Sequence, residues 1–203
     1  MAQQRNGRVR PELALVDTNI KLYYSFVQSV ERWSQLYEVA ASQAGYFTAA
    51  QGSDSGFSLQ LLEHHCNSGK IQRMRRGIYR LTHFPSSELE DLVVLWLWSE
   101  RKGIFSHGTA LDLWGLADYL PMVYFMTLPL SWKKRRLRVP DSVELFYEDL
   151  DSSEFSWHGP IPITTAERTL RDCADVGIAF EWLKTARQKA VQRGLLQRQG
   201  ANR

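Results

Sequence analysis

The sequence predicts an α+β protein, helical at the front and mixed α/β behind. Three observations predict it. Apolar residues recur at helical spacing between Ser29 and Gly45, and further helix-start signals follow at Thr48 and Ser58. Two strand-like runs, Ile71 to Arg75 and Ile78 to Leu81, flank the turn dipeptide Arg76-Gly77. From residue 86 onward, helix caps alternate with short extended apolar segments, without internal repeats or low-complexity stretches.

In chain order, residues 1–10 are polar and carry Arg5, Arg8 and Arg10 with no acidic residue. They read as a frayed terminus or as a basic arm able to enter a DNA groove. Residues 12–28 are apolar enough to pack as an extra helix. Val30, Trp33, Leu36, Tyr37 and Ala40 mark the next helix, with Gly45 as its stop. Thr48 is expected to cap a short helix at Ala49–Gln51, broken by Gly52 and the polar run that follows. Ser58 is expected to cap a third helix, Leu59 to Asn67. Leu59, Leu62 and Cys66 should form its apolar face, while Gln60, His64 and Asn67 point elsewhere. Ser68-Gly69 ends that helix and the hairpin follows. Three helices and then a hairpin is the layout of a winged helix-turn-helix, in which the third helix enters the major groove and the hairpin lies along the phosphates.

Behind a boundary near Phe84–Ser87, Ser87 and Glu90 form a capping box that opens an apolar, buried helix through about Arg101. Ile104-Phe105 is extended, and Ser106 to Leu113 is helical up to Gly115. Val123 to Leu128 reads as a buried strand. Leu137 to Tyr147 holds one or two strands, and Ile161 to Thr164 another short one. A second capping box, Thr164 to Glu167, starts a helix to Ala174, and a last helix runs from Phe180 to Gly194. Residues 1–28 are thus an arm with an extra helix, 29–85 a winged-helix domain, and 86–203 a C-terminal α+β domain.

The composition, 44% apolar and 23% charged over 203 residues, is that of a globular protein and not of a disordered or collagen-like chain. Leu92 to Trp98, the longest apolar run, is far shorter than the roughly 18 residues a membrane span needs. Cys66 and Cys173 lie far apart with no CxxC partner, which argues against a disulfide framework or structural zinc and for a reducing compartment. The first residues lack the apolar core of a signal peptide. A cytoplasmic protein is expected. The net charge of +3 is uneven. Residues 1–85 hold ten basic and six acidic residues, a net of +4, whereas residues 86–203 hold fifteen and sixteen, a net of −1. A positive front is a weak pointer to nucleic acid.

Other motifs carry little chemistry. His64-His65-Cys66 cannot converge on one metal, because helix neighbours diverge by about 100°. His107 beside Ser106 could suggest a base and a nucleophile, but neighbours on a helix do not face each other, so His107 is expected to be a capping or buried hydrogen-bonded residue. Glu148, Asp149 and Asp151 follow a strand, where nucleases and nucleotidyltransferases keep carboxylates. The Glu-x-Lys of the former and the Gly-Ser with paired acids of the latter do not accompany them, and a solvated turn is the plainer reading. Neither GxxxxGK[ST] nor GxGxxG occurs, so no cofactor and no metal are expected. Trp96 and Trp98 differ by two helix positions, so one of them is a candidate to face a neighbouring domain or subunit.

The segments Gly45–Gln51 (GYFTAAQ) and Gly56–Leu81 (GFSLQLLEHHCNSGKIQRMRRGIYRL) resemble the N-terminal winged helix of the AbiEi family. Phe105–Asp118 (FSHGTALDLWGLAD) and Ile163–Gly177 (ITTAERTLRDCADVG) are similar to two later segments of that family. Together these cover roughly residues 30–195, and the segment before residue 29 lies outside the pattern. The resemblance implies a bacterial antitoxin and transcriptional regulator of a type IV toxin–antitoxin system. Its front domain would bind double-stranded operator DNA and repress its own operon. The rear domain would oppose a nucleotidyltransferase toxin, without a stable complex between them.

On the residues themselves, the base-reading candidates are Ser58, Gln60, His64 and Asn67, which are polar and off the expected apolar face. The phosphate candidates are Lys70, Arg73, Arg75, Arg76 and Arg80, five basic residues with no acidic one between Gly69 and Arg80. Lys133, Lys134, Arg135, Arg136 and Arg138, beside Trp132, form a second basic patch. It is either a solvated loop or a further contact for nucleic acid or an acidic protein. The rival function is a small nuclease or nucleotidyltransferase acting through Glu148, Asp149 and Asp151, or else a protein-interaction module. A monomer on repeated half-sites and a symmetric homodimer on DNA both fit the sequence.

Overall fold

The computed structural model describes residues 11–116 and 122–197. The expected basic arm, with Arg5, Arg8 and Arg10, lies outside them. The α+β class holds, and contacts divide the chain into two compact units that meet in sequence at Pro85 and Ser86.

The first unit runs α1 (Pro11–Ala41), β1 (Tyr46–Thr48), α2 (Ala49–Asp54), α3 (Leu59–Asn67), β2 (Ile71–Arg75) and β3 (Ile78–Leu81). Two expectations need correction. The extra helix and the helix from Ser29 are one 31-residue helix, because no glycine or proline interrupts residues 12–41. The sequence reading also missed β1, three residues that pair antiparallel with β3 and complete a sheet of order β1-β3-β2. A strand this short carries too little alternation to be seen in sequence.

Leu36 and Ala40 of α1, Phe47, Phe57, Leu62, Ile71 and Tyr79 form the core of this unit. A buried amide pair ties α1 to α2. Gln51 Nε2 donates to Gln43 Oε1 (2.9 Å), and Gln43 Nε2 donates to the Tyr46 carbonyl (2.9 Å). Gln51 also closes a capping box with Thr48, whose hydroxyl accepts from the Gln51 amide at 3.2 Å. Gly56, at φ +83°, makes the turn between α2 and α3, where a Cβ would collide with the Arg32 side chain at 2.7 Å.

The second unit contains α4 (Glu90–Trp98), β4 (Ile104–Phe105), α5 (His107–Leu113), β5 (Tyr124–Leu128), a 3-10 turn (Leu130–Lys134), β6 (Val143–Tyr147), β7 (Phe155–His158), β8 (Ile161–Thr164), α6 (Ala166–Asp175) and α7 (Phe180–Gln192). Its mixed sheet has the order β6-β5-β4-β8-β7, with β4–β8 and β5–β6 parallel and the other two pairs antiparallel. A second core of Leu111, Leu116, Leu170, Cys173, Ala186 and Ala190 packs α5, α6 and α7 together.

Several boundaries shift from the sequence reading. The Ser87–Glu90 box is not a helix cap. Glu90 accepts the Ser87 N–H and the Ser87 hydroxyl accepts the Leu89 N–H, forming a turn ahead of α4. α4 stops at Trp98 because the Ser99 hydroxyl donates to the Trp96 carbonyl, and Glu100 and Arg101 then turn left-handed. The cap of α6 is Thr165 and not Thr164, which puts Arg168 where the box needed an acid. Residues 137–142 are not strand. Trp96 is buried in this unit's interior, edge-on to Trp157 at 5.6 Å.

Candidate nucleic-acid interface

α3 begins at Ser58, whose hydroxyl accepts the Leu61 N–H at 3.2 Å, so this base-reading candidate already serves as the helix cap. At 100° per residue, Gln60, His64 and Asn67 fall within an arc of about 60°, and all three are exposed. Leu62 is buried on the opposite side. The expected apolar face needs correction. Leu59 is 68% exposed, and the apolar side extends instead past Leu62 to His65, which is buried edge-on to Trp33 at 4.9 Å and Phe57 at 5.7 Å. Burial and the neighbouring Lys70 and His64 push the His65 pKa down, so the ring packs as a neutral group. The sequence reading also passed over Glu63, exposed beside Gln60 and Asn67 on the reading arc. A carboxylate there repels phosphate but can accept from a cytosine amino group. The helical wheel alone would have found it.

The β2–β3 hairpin folds as expected. Gly77 takes φ +75° at the turn, a conformation that a side chain would strain although there is room for one. The register slips between Arg73 and Arg75, leaving Met74 as the extra residue of a bulge. Arg73, Arg75 and Arg76 are exposed and, among the described residues, join no ion pair. Lys70, at the base of the hairpin, sits 5.7 Å from the Trp33 ring centre with its ammonium in solvent.

Arg80 does not belong with them. It is 9% exposed, its guanidinium lies 5.6 Å from the Tyr46 ring centre, and it donates to the Phe84 carbonyl at 2.9 Å. As its position on β3 turns it inward to the sheet's end, it closes the chain's exit from the hairpin instead of meeting a ligand.

In the second unit the basic patch is partly internal. Arg135 stacks on Trp132 at 3.7 Å and pairs with Glu100 at 2.8 Å. Lys133, Lys134, Arg136 and Arg138 are exposed on and just after the 3-10 turn.

Two carboxylates of the acidic cluster, Glu148 and Asp149, are engaged within their own unit. Glu148 pairs with Arg168, the Asp149 carboxylate accepts the Leu130 N–H at 3.0 Å, and the Asp151 N–H is taken by Glu154 at 3.2 Å. Glu148 stays exposed, as a solvated turn requires, and is also tied to Arg168. Arg168, 7% exposed, also binds Glu154 at 2.9 Å and Asp172 at 2.6 Å. Ser106 and His107 do meet, contrary to the helical argument. His107 sits at φ +49°, just where an extended Ser106 enters α5, and its Nδ1 lies 2.9 Å from the Ser106 hydroxyl. That hydroxyl accepts from Thr127 at 2.8 Å and is fully buried, which leaves a substrate no approach. The His107 ring stacks on Phe146 at 3.7 Å, and burial beside Arg168 lowers its pKa to about 4.

Residues 34–82, from the last eight residues of α1 through the hairpin, match the family described as transcriptional regulator, AbiEi antitoxin. The match covers about a quarter of the chain and coincides with the helix-turn-helix and its hairpin. The similar segments at Phe105–Asp118 and Ile163–Gly177 lie outside it. No curated protein matches the chain.

Proposed function

We propose that this protein is a sequence-selective DNA-binding regulator of the antitoxin kind. Residues 29–85 act as its winged-helix domain and residues 86–203 as a separate effector domain. α3 lies in the major groove with Gln60, His64 and Asn67 toward base edges and Ser58 at its start. Lys70, Arg73, Arg75 and Arg76 hold phosphates. The Lys133–Arg138 patch, less Arg135, is free for a second backbone contact. The supporting observation is the pairing of two exposed surfaces in one unit, a polar arc on the second helix of the motif and three hairpin arginines that join no ion pair among the described residues. The matched family supplies the regulatory class. By the same reading the protein works in the cytoplasm, represses its own operon and opposes a nucleotidyltransferase toxin encoded beside it.

The test is binding to the DNA upstream of its own gene, titrated with salt, against scrambled DNA of equal length. Selective binding with a steep salt slope is expected, and equal binding to both removes the reading. Gln60→Ala should lose roughly 1–3 kcal/mol of discrimination at one base position, with little change on scrambled DNA.

A further inference from the structure

Along α1, Tyr23, Phe26, Val30, Trp33 and Tyr37 follow each other at alternating steps of three and four, the spacing of a coiled-coil seam. Trp33 leans into the unit's own core, next to Leu36 and Ala40. The others do not. Tyr23, Phe26 and Tyr37 are 66%, 68% and 57% exposed, and Val30 is half-exposed. By helical position Tyr23, Phe26, Val30 and Tyr37 share an arc of about 60°. No charged residue falls on that arc between Tyr23 and Tyr37, where Glu31 and Arg32 both fall off it. Phe26, Val30, Trp33 and Tyr37 line an open groove of about 640 Å³, with Ser29, Ser34, Glu38 and Lys70 completing its walls.

An exposed helix in water is normally polar on the side away from its core. α1 instead carries a second apolar stripe, and it extends N-terminally well past the residues its own unit uses. The helix is about 46 Å long, of which the core engages only the last few turns. We infer that this stripe is a two-fold interface to the α1 helix of a second copy of this chain. Three features select that occupant. The three-four spacing fits a partner helix and not an extended peptide or a small ligand. The stripe is uncharged along its length, so a like copy meets no repulsion. Its area fits a weak dimer. With aromatic side chains of about 150–250 Å² each, the stripe offers roughly 450 Å² per copy, so a pair buries about 900 Å², the size of a weak or transient interface. The interface does not depend on the DNA reading. Its consequence there, two α3 helices presented to an inverted repeat, rests on that reading.

The experiment is sedimentation velocity on the full chain at micromolar concentration without DNA, for the wild type and for Phe26→Glu with Val30→Glu. Both replaced side chains are exposed, and circular dichroism checks that the fold is retained. A dimer that becomes a monomer in the double variant is expected. A wild-type monomer overturns the inference, as does a dimer that survives both glutamates. A single Val30→Cys variant gives a second measurement. Under mild oxidation it should link to itself far faster than the wild type, which has only Cys66 and the buried Cys173, and an equal rate counts against the interface. A dimer that binds scrambled and upstream DNA equally would leave the interface standing and remove the regulator. A selective monomer would do the reverse.

Discussion

Arginines have opposite roles in the two units. In the first, Arg73, Arg75 and Arg76 stand in solvent on a hairpin with no carboxylate partner among the described residues. In the second, Arg168 is drawn inside and held by Glu148, Glu154 and Asp172, with Arg171 adding a 2.5 Å contact to Glu154. A charge satisfied within the fold serves the fold, since removing one partner strands the others in a poor solvent. A cluster of like charges left unsatisfied costs folding through mutual repulsion and is available to an external anion. Arg80 shows that chain position does not separate the two roles. It belongs to the same basic run as Arg76, yet it is spent on carbonyls and a ring.

The comparison can be broken most directly at Arg168. Arg168→Leu should destabilise the second unit by about 3–5 kcal/mol in urea unfolding, because Asp172 would remain buried without its cation. A loss well under 1 kcal/mol would mean that the network is ornamental. The carboxylate side behaves accordingly. Burial pushes Asp172 up, partly offset by Arg168, whereas Arg168 and the Asp151 N–H pull Glu154 down.

Next in size is the pH response of the second unit. His107 titrates at about 4 when folded and near its ordinary value of 6.5 when unfolded. Between these values the unfolded chain binds the extra proton. The stabilisation is therefore complete above about pH 6.5 and disappears as pH falls toward 4, up to about 3 kcal/mol in all. His107→Asn keeps a residue that tolerates the left-handed backbone and removes the titration. Its stability should change less over that window than the wild type's. Parallel curves would show that Asp172 or Glu154 carries the response.

The smallest effects on stability belong to the hairpin, and there the two roles can be separated within one strand pair. Arg75→Ala with Arg76→Ala should shift unfolding by no more than about 0.5 kcal/mol and flatten the salt slope of DNA binding by nearly one unit per lost contact. Arg80→Met should do the opposite, costing about 1–3 kcal/mol by orphaning the carbonyls it serves while leaving the slope alone. A flattened slope in Arg80→Met would return that residue to the phosphate set.

The local elements were legible in the sequence. α3, β2 and β3 stand where the caps, the Gly77 turn and the alternation put them, because hydrogen-bonding caps and positive-φ turns act over only a few residues. The polar arc of α3 was legible for the same reason, as helical periodicity places Gln60, His64 and Asn67 together whatever surrounds them. Contacts distant in sequence decided the rest. β1 exists because β3 pairs with it. His65 is buried and Leu59 exposed because Trp33 and Phe57 line an aromatic slot on the His65 side of the helix. Ser106 reached His107 only because the backbone at the entry to α5 turns left-handed. Burial, and with it which charge is held inside and which is free for a partner, is a property of the packed chain. A sequence states the residue types, but the dielectric and the partners around each of them are set only when remote segments meet.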